Sequence, residues 1–331
     1  MRIALDAMGG DHAPGPIVAG AVQAVQADPE LSVVLVGDQV QVEPLLPADA
    51  DRSRLELYHC TQAVGMDEKP TVALRTKPDS SIRRCWELLA FGKVDGIVSA
   101  GNTGAMVAGG HFSKRILPGV LRPGIATVLP SEKGPVVLID VGANTEAKPE
   151  HLLQYGIMGA AYAKHILNIP EPLIGLMNVG EEEGKGNPVV KDAHTLLSAL
   201  GPRFKGNVEG RDVLQGLTSV VVCDGFVGNI LLKYSEGVSA YLIKAIQTEL
   251  LPLLTTDKES ILSAWKKLMT RYDYATYGGA PLLGIAGACI ICHGSSRERA
   301  IQNALGVAAK FARTHLNEVI VQELQATTPK V

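Results

Sequence analysis

Short aliphatic or β-branched runs alternate along the 331 residues with longer stretches in which apolar side chains return every three or four positions. The runs predict strands at Ile3–Ala7, Leu31–Val36, Leu55–His59, Val94–Ser99, Val136–Val141, Leu173–Asn178, Ser219–Asp224 and Ile285–Cys292. The periodic stretches predict helices at Ile17–Gln26, Ser80–Phe91, Gly104–Arg115, Glu150–Ile166, Val189–Leu200 and Asn229–Leu251. Alternation of this kind implies an α/β fold, a mostly parallel Rossmann-like sheet with crossover helices on both faces. A last helical pattern runs from Ser296 to Leu324 and carries Ala300, Ala304, Val307, Ala308, Phe311 and Leu316 at helical spacing. No linker or repeat divides the chain. Residues 1–325 are expected to form a single catalytic α/β unit, undivided or of two interwoven subdomains, and 326–331 a frayed tail.

One segment departs from the alternation. After Leu250-Leu251-Pro252, the run Thr255-Thr256-Asp257-Lys258-Glu259 carries helix-start residues. In Ser260–Arg271, Ile261, Leu262, Trp265, Leu268 and Met269 then share one face, with Lys266, Lys267 and Arg271 towards the other. Two readings stay open for this helical tip, about 245–275: docking on its own or a partner subunit, or contact of 255–271 with an anionic membrane surface.

Composition narrows the functional classes. With 46% hydrophobic and 20% charged residues and a formal charge of −3, the chain reads as globular, and no lysine- or arginine-rich tract is present for broad nucleic-acid binding. No apolar run reaches the roughly 18–20 residues that span a bilayer, and Asp6 interrupts the first apolar run too early for a signal peptide, so a cytoplasmic protein is expected. Cys60, Cys85, Cys223, Cys289 and Cys292 mostly sit in apolar stretches, as buried reduced thiols do. Cys289-Ile290-Ile291-Cys292-His293 matches the haem-attachment pattern, but its strand-like setting favours burial.

The candidate chemistry lies in glycine-rich turns that follow the strands. Five carry an acidic or amide side chain: Asp6-Ala7-Met8-Gly9-Gly10-Asp11, Gly101-Asn102-Thr103-Gly104, Asp140-Val141-Gly142-Ala143-Asn144, Asn178-Val179-Gly180-Glu181 and Asp224-Gly225-Phe226-Val227-Gly228-Asn229. Ligands of open α/β sheets bind beyond the carboxyl ends of the strands, so these turns are expected to meet around one small anion. Asn102-Thr103, Asn144 and Asn229 each stand where a strand gives way to a helix, as helix caps or as a cradle of amides. Asp6 and Asp11 serve equally well to brace their loop or to touch substrate, and with His12 they are too few for a metal site. Gly180-Glu181-Glu182-Glu183-Gly184-Lys185-Gly186-Asn187 fails the Walker pattern, which needs four residues between the glycines and Ser or Thr after Lys. Lys185 and Asn187 can still bind a single phosphate, although a solvated acidic loop has the same composition. There is no Gly-x-Ser-x-Gly elbow and no cysteine beside a basic residue in an exposed turn.

With Tyr277-Gly278-Gly279-Ala280-Pro281-Leu282-Leu283-Gly284 these turns make six motifs, and from residue 2 to about 320 the chain resembles the bacterial phosphate acyltransferase family known as PlsX. The resemblance implies transfer of a long fatty acyl group from an acyl carrier protein thioester to inorganic phosphate, giving acyl phosphate for phospholipid synthesis. It also implies a homodimer, a fold like isopropylmalate dehydrogenase and phosphotransacetylase, and peripheral attachment to the inner face of the cell membrane. Neither metal nor cofactor is expected, because a thioester is already activated and phosphate is a competent nucleophile. Catalysis is assigned to Asp224, Asn229 and Lys185. Asp6, Gly9, Gly10, Asp11, Asn102, Thr103, Asp140, Asn144 and Asn187 are assigned to phosphate or substrate. The acidic surface of a carrier protein favours basic residues such as Arg83, Arg84, Lys114 or Arg115 for docking. Two rival readings are a metal-dependent nicotinamide dehydrogenase, which lacks its Gly-x-Gly-x-x-Gly fingerprint here, and a scaffold that recruits carrier protein to the membrane without turnover.

Overall fold

The computed structural model describes residues 1–250, 260–261, 263–265 and 277–327. Among the described residues eleven strands form one sheet: β1 (Arg2–Asp6), β2 (Ser32–Gly37), β3 (Leu55–His59), β4 (Gly96–Ser99), β5 (Gly124–Ser131), β6 (Gly134–Ile139), β7 (Ile174–Met177), β8 (Phe204–Val208), β9 (Val220–Val222), β10 (Ala280–Leu283) and β11 (Ala288–Ile291). Their order across the sheet is β3-β2-β1-β4-β11-β10-β5-β6-β9-β7-β8. The sheet is buried on both faces, as alternation along its strands shows. Ile3 and Leu5 join one apolar cluster with the helices Gly15–Ala27, Pro149–His165 and Glu298–Arg313, while Ala4 joins the other with Ser81–Ala90 and Thr103–Phe112.

The mostly parallel α/β sheet is as expected, with an antiparallel centre that periodicity missed. β10 runs antiparallel to both β11 and β5, and β5 runs antiparallel to β6. Three predicted gaps hold strands for physical reasons. Gly124–Ser131 contains Pro130, Ala280–Leu283 contains Pro281, and Phe204–Val208 is an edge strand with polar Lys205 and Asn207. The predicted helix Ser296–Leu324 is two helices, Glu298–Arg313 and Leu316–Thr327, broken where His315 takes a φ of 51°. The second extends to Thr327, so residues 326 and 327 are helical where a frayed tail was expected, and 328–331 lie outside the described residues. The amphipathic segment 260–271 and the expected tip at 245–275 also lie largely outside them.

The antiparallel centre decides how the turns can meet. Three reversals separate β1, β4 and β11 from β6, β9 and β7, so the two groups run in opposite senses. In a flat sheet their carboxyl ends would lie on opposite edges. Sheets twist by about 20–25° per neighbouring strand, and over the steps from β1 to β9 such a twist works against that separation.

Candidate active site

The turns assemble as two clusters, one on each group of strands. In the first, Asp6 ends β1 fully buried, accepts from Ser99 Oγ at 2.7 Å and from the Met8 amide at 3.2 Å, and Ser99 Oγ in turn accepts from the Gly101 amide at 3.0 Å. Burial pushes the Asp6 carboxyl up, against the opposing pull of the Ser81 and Ser99 hydroxyls. Gly9 is required by proximity, since a Cβ there would lie 2.6 Å from Asp6 Oδ2 and 2.7 Å from the Gly101 nitrogen. Gly10, with a φ of 112°, turns the chain so that the Asp11 amide donates to Gly294 O at 2.8 Å. The Asp11 and Thr103 side chains are exposed.

Asn102 is a correction to its expected role. Its Oδ1 accepts from the Ala105 amide at 3.0 Å, capping the helix Thr103–Phe112, and its Nδ2 faces the carbonyls of Gly65, Met66 and Glu68 at 3.0–3.2 Å. An amide nitrogen has two hydrogens, so none is left for phosphate; Asn102 instead ties the 65–68 loop to the sheet.

In the second cluster Asp140 follows β6 and is fully buried. Its Oδ1 accepts from the amides of Ile125, Gly142 and Ala143 and its Oδ2 from that of Asn144, at 2.7–3.1 Å, so it organises its turn. Burial raises its pKa while these amides oppose the rise. Asn144 does not cap a helix. Its Nδ2 lies 3.1 Å from His151 Nδ1, which also accepts from the Lys148 amide at 3.0 Å, so the neutral ring carries its hydrogen on Nε2. Burial, then Arg122, lowers the His151 pKa and so favours the neutral ring. His151 and Tyr155, whose hydroxyl is 3.5 Å from Asn144 Nδ2, are partners of Asn144 that motif reading missed, because their only signal is a helical spacing on Pro149–His165.

Asp224 caps the helix Gly225–Ala245 through Oδ1, which accepts from Phe226 and Val227 amides at 2.9 Å each. The helix therefore begins four residues before the predicted start, and Asn229 lies inside it, facing the Gly142 turn. Asn187 caps the helix Pro188–Ser198, with Oδ1 accepting from the Val190 amide at 3.0 Å. Asn178 holds the acidic loop by donating to Lys185 O at 3.1 Å, and Gly186 (φ 91°) leaves it room. Lys185 Nζ stands 3.8 Å from Glu182 Oε1, its side chain half exposed.

These last elements enclose a cavity of about 210 Å³, walled by Met177, Asn178, Gly186, Asn187, Cys223, Asp224 and Val227 among others. Both helix caps, Asn187 and Asp224, line it, so the N-terminal ends of two helices border one space, and a helix N-terminus favours an anion. Of the assigned residues, Asn187 and Asp224 line the cavity and Lys185 adjoins it in sequence, while Asp140 and Asn144 pack against Gly225 of the helix that Asp224 caps and Asn229 faces Gly142. Asp6, Gly9, Gly10, Asp11, Asn102 and Thr103 belong to the first cluster.

Elsewhere, Arg83 pairs with Glu87, and Arg84 with Asp79 and Glu87, so those cations are already compensated. Cys289 and Cys292 are buried, burial raising the Cys292 thiol to about 12. Among the described residues no three His, Cys, Asp or Glu side chains converge as metal ligands, and no helix is long and apolar enough to cross a membrane.

The family model described as "Fatty acid synthesis protein" matches residues 1–319. The phosphate acyltransferase of Nitratidesulfovibrio vulgaris (strain DP4) is 48% identical over 328 residues, covering 98% of this chain and 95% of that protein. That of Heliobacterium modesticaldum is 47% identical, covering 98% of each. Among solved structures, a phosphotransacetylase from Streptococcus pyogenes aligns over 95% of this chain and 94% of its own with a TM-score of 0.63 at 18% identity. The EutD phosphotransacetylase from Staphylococcus aureus aligns over 94% of both chains with a TM-score of 0.61 at 17% identity. At such identities the likeness establishes a shared fold. Near-complete coverage by the family model and by relatives close to half identical establishes more: the chain belongs to the phosphate acyltransferase family and is an acyltransferase of lipid biosynthesis.

Proposed function

We propose that this enzyme transfers a long-chain fatty acyl group from acyl carrier protein thioester to inorganic phosphate, producing acyl phosphate for phospholipid synthesis. The observation that carries the reading is the cavity lined by the cap residues of two helices, Asn187 and Asp224, with Lys185 close by in sequence. Phosphate sits there, held by Lys185, Asn187 and the amides of the 184–187 turn. Asp224 and Asn229 orient the thioester carbonyl, and the Asp140 turn with Asn144 and neutral His151 forms the supporting wall. A phosphate oxygen attacks the carbonyl carbon, the carbon–sulfur bond breaks, and the hydrogen of hydrogen phosphate leaves on the thiol. Positioning and charge stabilisation suffice for this exchange between two activated acyl species.

The first cluster completes the site from across the sheet, where accumulated twist brings its carboxyl ends round towards the second. Asp6 and Gly9 shape that loop and Asp11 and Thr103 meet the pantetheine arm. Residues 1–325 work as one catalytic unit in a homodimer. The lysine- and tryptophan-bearing segment 255–271 attaches it peripherally to the anionic inner face of the cell membrane.

Trapping with hydroxylamine tests the chemistry. Acyl hydroxamate should form only when protein, phosphate and acyl carrier protein thioester are all present. A mixture that releases no phosphate-dependent hydroxamate refutes the reading.

A further inference from the structure

Asn207 lies on the edge strand β8 and is buried, at 7% exposure. Its Nδ2 donates to Glu182 O at 2.8 Å, a carbonyl that also accepts from the Lys185 amide at 3.1 Å and so closes the turn from Glu182 to Lys185. Only the nitrogen end of a side-chain amide can meet a carbonyl oxygen, which fixes how the Asn207 group is turned. Residues 181–185 stand out in solvent, and from the sheet side the turn is held by Asn207 at Glu182 O and by Asn178 at Lys185 O.

A bulge brings Asn207 to this task. Between paired positions β7 advances two residues, from Ile174 to Leu176, while β8 advances three, from Phe204 to Asn207. The backbone accommodates the extra residue at Gly206, whose φ is 95°. Paired residues share a face, so Phe204 and Asn207, although three apart, both follow the face of Ile174 and Leu176. On that face packs the helix Pro188–Ser198, into which the acidic loop leads. The Asn207 Oδ1, by contrast, is buried and meets no donor among the described residues. An unpaired buried acceptor works against stability, and Glu182 O keeps the Lys185 amide as a partner in any case. The fold therefore gains little from this side chain, whose remaining effect is its hold on the turn.

We propose that Asn207 is a positioning residue for phosphate: by fixing the turn from Glu182 to Lys185 it sets where the lysine stem leaves the main chain. The inference rests on the placing of phosphate beside Lys185 and Asn187. A lysine stem is flexible, so a turn free to move spreads the ammonium over a larger volume, and phosphate must order both when it binds. The loss falls on phosphate affinity, while the thioester and the chemical step are met by other residues.

The test is the rate of acyl phosphate formation from acyl carrier protein thioester, measured at increasing phosphate, for the full chain and for Asn207→Leu, Asn207→Ala, Lys185→Ala and Asn207→Leu combined with Lys185→Ala. Asn207→Leu should raise the KM for phosphate about two- to tenfold, the range of one hydrogen bond, with kcat and the KM for the thioester within about twofold of wild type. In the Lys185→Ala background the same substitution should have a smaller effect, because the two act through one contact. An unchanged phosphate KM in folded Asn207→Leu or Asn207→Ala overturns the proposal. So does a parallel loss in kcat and both KM values, a full effect in the Lys185→Ala background, or failure of both variants to fold, each of which would make Asn207 a structural residue only. Lys185→Ala with unaltered phosphate dependence would instead defeat the placing of phosphate, and this proposal with it.

Discussion

Gly228→Ala should unseat the 140–144 turn. A methyl group at this position would collide with the Asp140 carbonyl oxygen and stand 2.9 Å from both the Asp140 carbonyl carbon and Cys223 Sγ. The obstacle is backbone, so relief requires the 140–144 turn to retreat from the helix by on the order of 1 Å. That retreat stretches the contact from the Gly225 amide to Asn144 O, now 2.9 Å, and strains the pairing of the Asp140 amide with Cys223 O, now 3.0 Å. Overpacking costs about 1–3 kcal/mol and each weakened hydrogen bond about 1 kcal/mol, so the total is about 3–5 kcal/mol. Gly237→Ala is the internal control. It lies on the same helix with nothing within 4 Å of the added methyl, and should stabilise by about 0.4–1 kcal/mol through helix propensity and chain entropy. Urea titration followed by circular dichroism measures both, with the Gly228 variant also losing hydroxamate-forming activity. If Gly228→Ala unfolds within about 0.5 kcal/mol of wild type, the close approach of turn and helix is wrong.

Three further outcomes are expected. Lys185→Ala should raise the KM for phosphate about tenfold, the scale of a lost charge-assisted contact, and an unchanged phosphate dependence would remove Lys185 from the site. The Asp79 carboxyl is held at about 2, below its ordinary 3.8, by the Thr61 hydroxyl first and then Arg84. A lowered folded value means stability present above pH 3.8 and lost as pH falls towards 2, so Asp79→Asn should flatten the acid limb of the denaturation midpoint in that window and leave neutral pH dependence unaltered. Leu262→Glu, on the apolar face that the sequence periodicity defines, should release the protein from anionic vesicles while sparing activity on carrier-bound donors. Vesicle binding that survives the substitution would contradict the membrane assignment of 255–271.

Much of the architecture and the composition of the turns can be read from local pattern. Ile3–Ala7 and Leu55–His59 announce strands because apolar runs and flanking turns are local properties, and Ser80–Phe91 announces a helix for the same reason. Asp224-Gly225-Phe226-Val227-Gly228 is likewise legible as a strand-to-helix turn. Its two glycines then prove necessary, since side chains there would meet the Asp140 turn. The antiparallel strands Gly124–Ser131 and Ala280–Leu283 escape detection because their prolines obey pairing geometry, which only neighbouring strands reveal.

Sequence alone determined the order of elements, the motif set and through it the family, all of which are carried by residues close together in the chain. Tertiary structure decided what each polar side chain does. Asn102 and Asn187 occupy similar strand-to-helix turns, yet three carbonyls from the 65–68 loop claim the amide of Asn102, while Asn187 lines a cavity. The physical reason is that hydrogen-bond partners and burial come from segments distant in sequence, so the chemistry available to a side chain is settled only when those segments pack around it.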